Sequence, residues 1–113
     1  GLLTGKYNKG IPKGSRLMMA DLQWIREKML VDENINKVVA LEKIAADLDM
    51  SMANMALAWC LKNPHVSTVI TGATKLSQLE QNLQAVDAVS KLTNEVMERI
   101  EEILDNKPNL PSY

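Results

Sequence analysis

Between Ser67 and Asn82 the chain reads STVITGATKLSQLEQN, and its residue types suit the capture of an anion. A β-branched run, Thr68 to Ile70, reaches Gly72; the Thr74 hydroxyl then stands where a helix would begin, and Lys75 follows. The first N–H groups of a helix lack intrahelical partners, and the helix dipole favours negative charge there. Glycine lets a phosphate come close to the backbone, while Thr74 and Lys75 add a hydroxyl donor and a cation. A phosphate-bearing cofactor is one reading of this segment. An ordinary strand–turn–helix junction is the other, and the segment alone does not separate them.

A strand must deliver this turn and a helix must leave it, so the surrounding elements decide what the segment is for. Residues 1–16, with Gly1, Gly5, Gly10, Gly14 and Pro12, read as a loop. Leu17, Leu22, Ile25, Met29 and Leu30 suit an imperfect amphipathic helix, and Val31 to Asn36 reads as a polar break. Val38, Leu41, Ile44, Ala45 and Leu48 recur at helical spacing. Ser51 is an N-cap for MANMALAWCLKN, which ends before Pro64 and is apolar on most sides, as a buried helix would be. One strand, Val66–Thr71, follows, then a helix over Lys75–Val89. Thr93 caps a last helix over 93–105, with Leu92 placed to staple onto Met97. The tail, 106–113, is a Pro-bearing coil. One strand cannot form a sheet, and helices flanking a single strand are what the end of a parallel βα array would contain. The expected fold class is therefore α/β, with the fragment itself mostly helical.

Composition narrows the function. The chain has 113 residues, 46% hydrophobic and 24% charged, with a net charge of −1. That balance is of a soluble globular protein and argues against nucleic-acid binding, and no stretch is apolar and long enough to cross a membrane. Cys60, the single cysteine, fits a reducing cytoplasm. With one His and one Cys a zinc-type metal site is not expected. Charge is uneven: Lys6, Lys9, Lys13 and Arg16 precede the first acid, Asp21, whereas Glu95, Glu98, Glu101, Glu102 and Asp105 lie near the other end. The basic opening is either a solvated loop or a flap that grips an anion. An opening of GLLTGKY without Met is expected of an excerpt or a cleavage product.

Four separated motifs, GLLTGKYNKGIPKGSR, ALAWCLKNPHVSTVITGA, QLEQN and ILDNKP, resemble the C-terminal third of an aldo-keto reductase, nearest to the voltage-gated potassium channel β-subunit branch and its microbial relatives. The resemblance implies the C-terminal portion of a (β/α)8 TIM barrel, with Val66–Thr71 as the eighth strand, Lys75–Val89 as the eighth helix and residues 17–63 as helices before them. It implies that residues 1–16 fold over a dinucleotide. It assigns Lys6 to the pyrophosphate, Arg16 to the adenosine-phosphate end, Gly72 and Thr74 to the phosphate-binding turn, and Gln78, Gln81 and Asn82 to the adenine and ribose phosphate. The chain departs from the pattern at Thr74, often Ser in β-subunits, at Gln81, where they carry an acid, and at Gly14, aromatic in some of them. Many reductases of the wider family have Arg at the position of Gln78. Helix N-terminus, hydroxyl, Lys75 and basic flap suit the dianionic 2′-phosphate of NADP better than a bare ribose.

The resemblance further implies a cytoplasmic NADP(H)-dependent oxidoreductase that reduces aldehydes and ketones. Its catalytic tetrad of Tyr, Lys, Asp and usually His would lie outside this chain, leaving these residues inactive alone. Tyr7 and Tyr113 are not substitutes for that tyrosine, and His65 would lie at the barrel's N-terminal end, where a catalytic role is not expected. Cys60, Trp24 and Trp59 are expected as packing residues. A second function follows from the same resemblance: a cofactor-sensing regulatory β subunit of a voltage-gated potassium channel, tetrameric and docked on its channel partner. A third is a structural piece that dimerises to cover an orphan strand edge.

Overall fold

The computed structural model describes residues 1–112, and Tyr113 lies outside the described residues. Its longest helix, α2 (Asp32–Asp47), begins inside the stretch expected to be a break. Asp32 and Glu33 in its first turn meet the positive end of the helix dipole. Glu33 also pairs with Lys37 at 3.4 Å, one turn on. A polar run without Gly or Pro therefore starts the helix early. Val38, Leu41, Ile44 and Ala45 form its buried face. Its end is a Schellman motif. Asp49 takes a left-handed φ of 54°, its N–H donates to the Ala46 carbonyl at 3.0 Å, and the Met50 N–H reaches Ala45 at 3.0 Å.

Two further helices start where the sequence predicts. Ser51 Oγ accepts the Asn54 N–H at 3.0 Å and opens α3 (Met52–Lys62). Thr93 Oγ1 accepts the Val96 N–H at 3.3 Å and opens the helix Asn94–Leu104. The segment before Thr93 forms two short helices, Leu76–Leu83 (α4) and Ala85–Ala88 (α5), making Asn94–Leu104 α6. Leu41, Ile44, Met52, Met55, Ala58, Ala88, Leu92, Val96 and Ile100 form one buried cluster. Two lysines tie helix ends across it: Lys37 Nζ donates to the Leu104 carbonyl at 2.6 Å, and Lys91 Nζ to that of Leu48 at 3.2 Å.

Four expectations need correction. Among the described residues there is no strand: Val66–Thr71 has no regular structure and no ladder partner, with Ile70 93% exposed. A β-branched run becomes a strand only when a neighbour accepts its ladder, and no other segment here lies alongside. The helix expected over Lys75–Val89 is divided at Gln84. Gln84 N–H donates to Gln81 and Asp87 N–H to Gln84, each three residues back, a 3-10 tightening. That tightening turns Ala85 and Ala88 into the core while α4 buries nothing.

The helix expected over Leu17–Leu30 is two 3-10 turns, Arg16–Met18 and Ala20–Leu22, and then α1 (Gln23–Met29), which contains no buried residue. Its apolar positions are too irregular to make one stripe. Finally, Trp24 is 65% exposed, Trp59 36% exposed and Cys60 half-buried, so none is a core residue. An all-apolar helix such as α3 buries only the face its neighbours cover. No helix among the described residues is long and apolar enough to cross a membrane.

Candidate functional site

The chain reaches Gly72 without regular structure, and a Cβ built on Gly72 meets nothing within 4 Å. Access to the backbone is therefore open. Lys75, in extended conformation, is the N-cap of α4, which sets Thr74 one residue before the cap instead of at it. The cause is Gln78, three residues into the motif. Its Oε1 accepts the Thr74 N–H at 2.9 Å, the Thr74 hydroxyl at 3.1 Å and the Lys75 N–H at 3.3 Å. The last of these is the reciprocal half of a capping box. An amide, a hydroxyl and a second amide thus converge on one oxygen at the positive end of a helix, which is the chemistry of an anion cradle.

The remaining predicted residues fall into separate groups. Lys6 is exposed, with its Nζ 5.1 Å from the ring centroid of Tyr7, and Tyr7 itself is only 4% exposed. The loop holding them turns at Gly5, whose φ of 79° suits glycine and whose Cβ would run into the Glu42 carboxylate. Lys6 and Arg16 both lie within electrostatic range of the Gly1 backbone nitrogen. Lys6 and Arg16 thus share one basic neighbourhood at the start of the chain. Among the described residues no hydrogen bond or ion pair joins Lys6 or Arg16 to the entrance of α4.

Gln81 lines a polar hollow of about 330 Å³ with Ser51, Asn54, Asp49, Asp87 and Lys91. Asn82 is the half-buried residue of α4. Asn54 escaped sequence reasoning. It is 7% exposed, and its Oδ1 has no hydrogen-bond partner among the described residues. Its signal was a polar residue at the third position of a helix that is otherwise apolar up to Lys62. A larger hollow of about 590 Å³ lies between α2, α3 and the first residues, lined by Leu2, Val38, Met55, Trp59, Cys60 and others. It is mainly apolar, with Asn34, Lys37 and Asn106 as its polar lining, which suits packing more than catalysis. His65 is exposed in the loop after α3. No group of three His, Cys, Asp or Glu side chains converges among the described residues.

Comparison with known proteins fits this chain to a longer architecture. The aldo/keto reductase family model matches residues 1–105. A probable voltage-gated potassium channel subunit beta from Arabidopsis thaliana is 46% identical over 112 residues, covering 98% of this chain and 34% of that protein. A protein of the same description from Oryza sativa subsp. japonica is 46% identical over 109 residues, 96% of this chain and 33% of its own length. A putative voltage-gated potassium channel subunit beta from Schizosaccharomyces pombe is 44% identical over 114 residues, 96% and 32%. The chain spans about a third of the length of these curated relatives.

Proposed function

This chain belongs to the aldo/keto reductase family, and we propose that it supplies the phosphate and adenosine end of the cofactor site in a cytoplasmic NADP(H)-dependent oxidoreductase acting on small carbonyl compounds. The observation that carries the reading is the convergence of Thr74 N–H, Thr74 O–H and Lys75 N–H on one oxygen beside the open Gly72 backbone. These donors fit a phosphate oxygen in number and kind, and Lys75 adds charge. Lys6 and Arg16 take the pyrophosphate and adenosine phosphate from the basic loop, and Gln78, Gln81 and Asn82 line the adenine and ribose phosphate.

The bound dinucleotide supplies the hydride. This chain's own residues bind and orient its phosphates, and the proton donor comes from residues outside these 113. The parent is a (β/α)8 barrel of which this chain is the C-terminal portion. The unpaired run Val66–Thr71 and the exposed apolar residues of α4 support that reading, because a barrel sheet would pair the one and cover the other.

Calorimetric titration of the chain with NADPH tests the site. We expect saturable binding, weakened on the order of tenfold or more by Thr74→Ala or Lys6→Ala, the size of a lost hydrogen bond to a charged group. Absence of heat from the folded chain sinks the reading. A second reading, a regulatory β subunit that senses the cofactor and docks on a potassium channel, is favoured by the names of the relatives. Light scattering on the parent protein separates the two: a four-chain ring favours the channel subunit, a monomer the free enzyme.

A further inference from the structure

The polar hollow beside α3 holds a group that packing alone leaves unexplained. Asn54 lines it and is only 7% exposed, yet its Oδ1 has no hydrogen-bond partner among the described residues. Buried acceptors are nearly always paired, and one left unpaired marks a place where a donor is wanted. The hollow is separate from the turn before α4: of the residues expected at the cofactor, Gln81 alone lines it.

The exposed rim repeats the demand for donors. Asp49 and Asp87 lie on it, and among the described residues neither carboxylate joins the ion pairs, which are Glu33–Lys37 and Asp47–Arg99. Among the described residues Lys91 is the single cation of the lining, and its Nζ is drawn to the Leu48 carbonyl at 3.2 Å. The start of α3 adds about half a positive charge, which together with Lys91 still falls short of two carboxylates. The lining therefore offers acceptors and negative charge. No three His, Cys, Asp or Glu side chains converge among the described residues, so a bare metal ion has too few ligands. A volume of about 330 Å³ admits a small organic group instead.

We infer that this hollow binds a guanidinium group. Guanidinium carries a positive charge and several N–H donors in one plane, with no acceptor to leave unmet. Asp87 and Asp49 take its charge at the rim, and Asn54 Oδ1 accepts an N–H at the buried end. That oxygen is closed to water, so binding turns the carboxamide or moves the rim, each a rotation about side-chain single bonds.

A nitrogen-15 NMR titration tests this, with free L-arginine and N-acetylarginine methylamide as probes. Either should saturate and shift the Asn54 carboxamide signals. Tighter binding of the blocked form assigns the site to a peptide, and of the free form to a small molecule. Asp87→Asn should weaken binding roughly tenfold or more, the loss of one hydrogen bond to a charged group. Asn54→Leu should weaken it about as much without lowering the urea midpoint, because no internal bond of the side chain is lost. Asn54→Asp should bind more tightly. Glu98→Gln, at an exposed acid outside the hollow, should bind as the unaltered chain does. The inference is overturned if the folded chain shows no saturable shift, or if Asn54→Leu binds equally well. It is overturned too if Asn54→Asp binds more weakly, if Glu98→Gln costs as much as Asp87→Asn, or if inorganic phosphate and neither probe moves the Asn54 signals. Titration with NADPH is a separate readout, so the cofactor reading stands or falls on its own.

Discussion

Two regions that both contain helices behave differently. The helices α2, α3 and α6 enclose Ile44, Met55, Leu92 and Ile100, each 3% exposed or less. Their ends are fixed by Ser51, Thr93 and the Asp49 turn. The stretch from Val66 to Leu83 has a run without regular structure and a helix, α4, with no buried residue; Leu76, Leu79 and Leu83 lie exposed on it. Its sequence is no less patterned. What differs is that the first region's partners lie within these residues, while the second region's apolar groups face solvent. Stability in the first is tertiary; in the second it is local capping, of which Gln78 is the centre.

The largest effect that separates the regions should come from Leu92→Ala, which empties the middle of the cluster. A fully buried leucine truncated to alanine costs about 2–5 kcal/mol, enough to unfold a marginal chain in a urea titration. Smaller is the loss of a cap. Thr93→Ala should cost about 1 kcal/mol, read as a lower urea midpoint, because the Val96 N–H loses its acceptor. Smallest is Leu83→Ser on α4, where the residue is 65% exposed. It should change the stability of this chain by less than about 0.5 kcal/mol. A Leu83→Ser cost near that of Leu92→Ala would break the comparison. The same substitution in the parent protein should be several times more costly, since a covering sheet would bury the side chain.

The pattern of success and failure in reading the sequence follows the same division. Ser51 and Thr93 were legible as caps because a cap needs only its own first turn. The Val38, Leu41, Ile44 stripe was legible because its period is local. The start of α2 at Asp32 was hidden, since charge–dipole stabilisation leaves no apolar period to follow. The strand over Val66–Thr71 was over-read because β propensity expresses fit to neighbours, and neighbours are not written in the run itself. Burial of Trp59 and Cys60 was over-read for a related reason: apolarity all round α3 does not say which faces are covered.

In the candidate site the sequence reading groups Gly72 with Thr74 and places Gln78 with Gln81 and Asn82, whereas the hydrogen bonds of the structure join Gln78 to Thr74. That Gln78 would turn back on the cap was legible in principle, as a glutamine three residues after an N-cap. The position of Lys6 and Arg16 relative to that turn depends on how a flexible glycine-bearing loop is held, which spacing alone does not encode.

Trp59, on the lip of the large apolar hollow, gives the molecule an optical gauge of its own. An indole half-open to water emits at longer wavelength than one sealed under apolar groups. Trp24 does not line that hollow, so a Trp24→Phe chain would emit from Trp59 alone. Whatever comes to lie over the hollow would then announce itself as a blue shift, with no label attached.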